Sequence, residues 1–182
     1  MPATSGTHRL GPENATLSVR TKRAGAAAKA GHDLLIHVTA WEATIALADE
    51  PAETELELSA DPTSLRVREG TGGFQALVDE DIENIQQTID DEVLKRREIA
   101  FRSTAAAPGP GGVLHVEGGL TLSGNSRPIA FDLELGDDGA VEARALVKQS
   151  EWGMKPYSAL FGALKVADEV EVTLEGRTEP PA

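Results

Sequence analysis

Cysteine is absent from the 182 residues. That excludes a disulfide framework, a thiolate metal site and a thiol nucleophile. Aromatic residues are scarce, with four Phe, two Trp and one Tyr making up 4% of the chain. A core filled with rings is therefore excluded. Positive charge is in deficit: 17 Lys+Arg stand against 30 Asp+Glu, for a formal net charge of −13. Phosphate recognition needs clustered cations, so a body this acidic is expected to repel DNA and anionic lipid surfaces. No run approaches the ~18 apolar residues of a membrane span, so an integral membrane protein is not expected. The start, Met1 to Leu10, lacks the apolar stretch of a secretory signal. With no cysteine, the expectation is a cytoplasmic protein. What the chain does have is small side chains, 26 Ala and 18 Gly. Either small aliphatic residues pack the core, or side chains do not completely fill the interior.

The length predicts one domain, at ~100–200 residues per domain. Residues 1–12 and 178–182 read as loose tails around a domain over 13–177. Within it the dominant period is two. Leu114, Val116, Gly118, Leu120 and Leu122 alternate with polar or small residues. So do Ile129, Phe131, Leu133 and Leu135, and Val170, Val172 and Leu174; Val141, Ala143, Ala145 and Val147 alternate with Glu142, Arg144, Leu146 and Lys148. Leu56, Leu58 and Ala60 continue the pattern. Such runs are antiparallel strands with one dry and one wet face. Ser123–Ser126 and Gly136–Gly139 have hairpin-turn composition, and Ala105–Gly112 reads as a looser loop. Connections this short make consecutive strands antiparallel neighbours. Leu34, Ile36, Val38 and Ala40 share one face, and then Trp41, Ala43, Ile45 and Leu47 take over at odd positions. This change of phase predicts a bulge or sharp bend near Ala40–Trp41.

One helix interrupts the strands. Ile82, Ile85, Ile89 and Val93 follow helical spacing, with Asp79, Glu80, Asp81 and Glu83 at the start and Lys95–Arg97 at the end. It reads as a lid lying on the sheet, its acidic side in water. A short helical turn is predicted over Tyr157–Leu164. The fold expected is all-β: an antiparallel, up-and-down, eight-stranded barrel with one covering α-helix and that short turn. Periodicity fits a two-sheet sandwich as well.

Two segments are similar to the YceI-like family. One is Phe74–Ile85, running through Thr88-Ile89 and Val93-Leu94 to Glu98–Ser103. It resembles that family's helix and the "I-x-F-x-S" strand after it. The other is Val113–Gly124 with Arg127-Pro128-Ile129, which resembles the hairpin "V-x-G-x-L-T-L-x-G-x-x-R-P". Gly31–Leu34 and Gln149–Gly153 stand where the family has a strand histidine and a terminal "F-G" element. The resemblance covers roughly residues 15 to 176. It implies a lipocalin-like antiparallel barrel of the kind that small bacterial proteins use to bind polyisoprenoids or other long lipid chains.

Little in the chain supports catalysis. There is no G-x-S-x-G elbow, and Ser123-Gly124 is hairpin chemistry, so no catalytic residue is assigned. The histidines His8, His32, His37 and His115 form no H-x-H or H-E-x-x-H motif, so neither a metal nor a cofactor is expected. His37 and His115 are expected on the wet face, and His32 as a hydrogen-bonding residue.

The expected chemistry is enclosure of an elongated apolar molecule. Its walls would be Leu34, Ile36 and Val38; Leu114, Val116 and Leu120; Phe131 and Leu133; Ala143 and Ala145; and Val170 and Val172. The segment from Trp152 to Phe161 holds three of the seven aromatics. It is expected at an end of the barrel, with Trp152, Met154, Tyr157 and Phe161 against the ligand. His32 and Lys155, with Tyr157, are candidates for a polar head group. The resemblance implies a polyisoprenoid, a quinone-type side chain or a fatty amide, carried, stored or sequestered under stress. The alternatives are a filled barrel serving as a structural or interaction module, and a lipid-modifying barrel using His32 or Tyr157 as acid or base. A homodimer is compatible with the sequence.

Overall fold

Apolar residues at every second position leave each strand one dry face, and eight such staves bury those faces by curling around a common axis. The computed structural model describes residues 4–178. Eleven strands form one antiparallel sheet: β1 (Gly6–Leu10), β2 (Ala15–Thr21), β4 (His32–Val38), β5 (Trp41–Leu47), β6 (Glu55–Ala60), β7 (Leu65–Gly72), β8 (Ile99–Pro108), β9 (Val113–Leu122), β10 (Asn125–Leu135), β11 (Ala140–Lys148) and β14 (Glu169–Arg177). A small second sheet joins β3 (Arg23–Ala24), β12 (Ser158–Ala159) and β13 (Leu164–Val166).

Eleven strands make eight staves because three staves are each broken by a bend. β4 runs into β5 through Thr39–Ala40, where the change of phase predicts a bend. The backbone N–H groups of Thr39 and Asp61 bond to the carbonyls of Ser64 and Ala40, tying this bend to the one between β6 and β7. β1 and β2 flank the same stave on its other side. The circuit then runs from β6 through β8, β9, β10, β11 and β14 back to β2. Every stave thus lies beside its neighbours in sequence, which is the up-and-down order expected.

Three boundaries differ from expectation. Gly6–Leu10, read as part of a loose tail, is β1 and pairs along β5. His8 and Leu10 alternate inward and are buried, and His8 Nε2 lies 2.8 Å from the Thr4 carbonyl. Ala105–Pro108, read as loop, extends β8, and its Ala106 is buried. The short helical turn expected over Tyr157–Leu164 is confined to Leu160–Gly162, because β12 and β13 pair across it. The tail residues 179–182 lie outside the described residues.

Helix α1 (Asp79–Thr88) continues as a wider turn over Ile89–Val93. Asp81 accepts the Val78 N–H at 3.1 Å, which satisfies one free donor of the first turn. Ile82, Ile85, Ile89 and Val93 turn toward the core, Leu94 is buried, and the first-turn acids are exposed. Gln86 fixes the helix to the sheet by accepting the Val67 N–H at 3.1 Å.

Candidate functional site

The strand registers place the segments 22–31, 73–98, 123–124 and 149–168 at one end of the barrel. The connections 48–54, 109–112 and 136–139 lie at the other. That second end is filled: Val116 is 0% exposed and Val141 2% exposed, and Leu133, also 0% exposed, is where the packed end meets the cavity. Toward the first end the side chains stop meeting at the axis and leave a cavity of about 430 Å³. At ~30 Å³ per water in the liquid, that is room for on the order of a dozen waters. Its walls are almost wholly hydrocarbon. Water has few partners there, while an apolar chain gains ~25 cal/mol for each Å² it buries.

Most of the expected wall is in place. Leu34, Ile36 and Val38 line the cavity from β4, and Leu120, Phe131 and Leu133 from β9 and β10. Ala143 and Ala145 line it from β11, Val170 and Val172 from β14, and Met154, Tyr157 and His32 from the mouth. Five expected residues do not line it. Leu114 and Val116 point inward but belong to the filled end, where other side chains cover them. Trp152 is 1% exposed and wedged behind the wall, donating Nε1–H to the Leu120 carbonyl at 2.8 Å while its own carbonyl accepts from Asn125 at 2.8 Å. Lys155 is exposed and away from the cavity. Phe161 is wholly exposed, because Leu160 and Phe161 both adopt left-handed backbone (φ 51° and 55°) that turns their side chains to water.

Gly118 shows that a small inward residue need not leave room for a guest. A Cβ there would come within 2.5 Å of Phe101 Cζ and 2.4 Å of the Arg102 carbonyl oxygen. The Phe101 ring occupies that space and meets Phe131 as a tilted pair, at 5.3 Å and 58°.

The sequence reading missed part of the wall. Ile85, Ile89, Val93 and Leu94 close it from the helix, so α1 is a wall as well as a lid. Phe101, Leu58, Ile45 and Leu17 complete it from strands whose alternation was visible. The missed polar residues in the lining at this end include Arg23 and Lys165, with Asn84, Thr88 and Gln149. Arg23 Nη1 donates to the Gly31 carbonyl at 2.9 Å, and its guanidinium covers Gly72, where a Cβ would collide with Nη1 at 1.7 Å. His32 donates Nε2–H to the Gln75 carbonyl at 2.7 Å, joining β4 to the segment before the helix. On the wet face, His115 Nδ1 lies 2.9 Å from Asp132. His37 is pushed below its ordinary value, first by partial burial and then by Arg68 and Arg20. Among the described residues no three acids, histidines or cysteines cluster as metal ligands would, and no helix is long and apolar enough to cross a membrane.

Asp168 holds the turn that carries Trp152 and Met154. It accepts the Ser150 N–H at 2.8 Å and the Ser150 hydroxyl. The hydroxyl, then the N–H, hold its carboxyl below the ordinary 3.8. Folding therefore favours the ionised form. This contribution is complete above the ordinary carboxylate range and is lost as pH falls below about 4 and through the lower folded value. Ser150→Ala should weaken that acid loss in denaturant titrations across this range. Identical pH slopes for the two proteins would contradict the assignment.

A family model for the YceI-like domain matches residues 9–177, nearly the whole chain. The chain belongs to the YceI-like family. Solved structures agree on the fold. BcnA of Burkholderia cenocepacia superposes with a TM-score of 0.67 at 16% identity, covering 88% of this chain and 94% of that one. A polyisoprenoid binding domain from Saccharophagus degradans, implicated in plant cell wall breakdown, gives 0.62 at 12% identity, covering 98% and 100%. The YceI protein of Campylobacter jejuni gives 0.54 at 17%, covering 80% and 85%. No curated protein sequence matches the chain. At these identities the solved structures establish the shared barrel, and the YceI-like ring of staves is the one traced above.

Proposed function

We propose that this YceI-like chain is a non-catalytic carrier that encloses one elongated apolar molecule in its barrel. The observation behind this reading is the hydrocarbon-lined cavity of about 430 Å³, within the ~300–1,000 Å³ usual for ligand sites. A filled barrel would not leave this volume. Catalysis has little support at the mouth: His32 is engaged with a backbone carbonyl, and among the described residues no carboxylate accepts from it or from Tyr157. A polyisoprenoid fits the family, and a quinone-type side chain or a fatty amide has the same shape and apolarity.

Extraction of the purified protein with organic solvent, followed by mass spectrometry, tests the reading. The expected result is a long-chain lipid in a molar amount comparable to the protein. Protein that is consistently empty, and that also takes up no fluorescent lipid, would overturn it.

A further inference from the structure

The small sheet of β3, β12 and β13 and its flanking loops differ in charge from the rest of the molecule. Residues 22–33 and 153–166 carry Lys22, Arg23, Lys29, Lys155 and Lys165 against a single carboxylate, Asp33. The chain as a whole carries −13. Asp33 is shared, lying 3.9 Å from both Lys22 Nζ and Arg23 Nε.

These segments form one side of the mouth. Lys165 and Val166 of β13 pair with Ala24 and Arg23 of β3, the Ala27 N–H bonds to the Ala163 carbonyl, and a Cβ on Gly31 would touch Leu164. Arg23, His32, Tyr157, Leu164 and Lys165 line the cavity from here. The acids at the start of α1 belong to the helix side.

At the tip stand Leu160 and Phe161. Both are exposed, and both hold a left-handed backbone that costs an L-residue with a side chain about 1 kcal/mol or more. Glycine would relieve that strain. Instead the chain holds two large apolar side chains in water, between lysines, beside the opening of an apolar cavity. Phe74 is exposed on the neighbouring segment, next to the Gly73 that meets the His32 ring.

We propose that this side of the mouth docks on the surface of an anionic lipid bilayer. Leu160 and Phe161 enter the headgroup layer, and the exposed Lys22, Lys29, Lys155 and Lys165 face lipid phosphates. This extends the carrier reading, on which it rests: the cavity then opens onto the membrane that supplies or receives its guest. The overall acidity that argues against anionic surfaces is an average, and this patch departs from it.

Co-sedimentation of the purified chain with vesicles tests the docking. Mixed phosphatidylcholine–phosphatidylglycerol vesicles should bind it, and phosphatidylcholine alone or high salt should release it. Leu160→Asn with Phe161→Asn should weaken binding at least about tenfold, the loss expected when exposed apolar anchors are removed. Asparagine tolerates the left-handed backbone, so the thermal midpoint should hold or rise. Lys29→Glu with Lys155→Glu should abolish the preference for phosphatidylglycerol. Uptake of a fluorescent fatty acid added from solution should be unchanged in both variants.

A wild-type chain that ignores mixed vesicles while taking up the free fatty acid would overturn the docking and leave the carrier reading standing. Loss of uptake with vesicle binding intact would do the reverse. A dimer that the Leu160/Phe161 variant dissolves would give the patch to a second copy and overturn the proposal.

Discussion

Ala145→Trp is expected to lower affinity for a long apolar ligand at least tenfold while the fold stays intact. Ala145 lies mid-strand on β11, opposite Val172 of β14, and both side chains face the cavity. An aromatic side chain covers about 150–250 Å². Ligand surface displaced on that scale is worth about 4 kcal/mol at ~25 cal/mol per Å². A flexible ligand recovers part of this by bending elsewhere, so tenfold is the lower bound. The cavity accepts the new ring without moving the wall, so the denaturation midpoint should change little. Ala145→Phe adds similar bulk without an N–H to satisfy and should behave alike. Titration of a fluorescent fatty acid, beside a thermal melt, checks both halves. Unchanged binding with the ring in place would mean that the cavity is not where the ligand sits.

Trp152→Ala is expected to have the opposite profile, with the largest effect on stability. Trp152 is 1% exposed and donates to the Leu120 carbonyl. Truncating a buried Trp costs about 3–5 kcal/mol, and leaving that carbonyl unpaired adds about 1–3 kcal/mol. At about 2–4 °C per kcal/mol for a chain of this size, the midpoint should fall by roughly 10 °C or more. Trp152→Phe keeps most of the bulk and loses only the donor, so its fall should be much smaller. A Trp152→Ala protein that melts within a degree or two of wild type would contradict the wedge role.

The two substitutions separate what could be read in the sequence from what could not. Alternation is a statement about faces. It placed Ala145, Val172, Leu34 and Phe131 inward, and the phase change at Ala40–Trp41 placed the bend. Alternation carries no information about height along the barrel axis. Leu114 and Val116 share a face with Leu120, yet they lie in the filled end and Leu120 in the hollow one. Nor does it say what occupies the space beside a small residue: Gly118 is small because the Phe101 ring needs the room.

β1 was missed because His8 and Leu10 alternate with Thr7 and Arg9 over too short and polar a run. Its burial depends on pairing with β5, far along the chain. Phe161 was assigned to the ligand by its composition and neighbours. Its direction is set by two left-handed residues, which side-chain patterning does not encode. The mouth cations Arg23 and Lys165 sit in different segments and meet only when β3 pairs with β13. For Arg23 the available signal was the acid-free stretch 22–32, and for Lys165 the acid-free run that ends before Asp168 and Glu169.

The shortage of aromatic residues now has a specific meaning. Phe101 and Phe131 pair in the wall, Trp152 wedges behind it, and Phe161 and Phe74 stand in water. No cluster of rings blocks the axis, which is where the hollow lies.

The most direct test of the account is a crystal structure of the protein after incubation with a polyprenyl alcohol. Continuous, chain-like density is expected inside the barrel, running between Ala145 and Val172 on the strand side and Ile85 and Ile89 of the helix. A barrel that shows only discrete water peaks under saturating ligand, or side chains collapsed onto the axis, would contradict it.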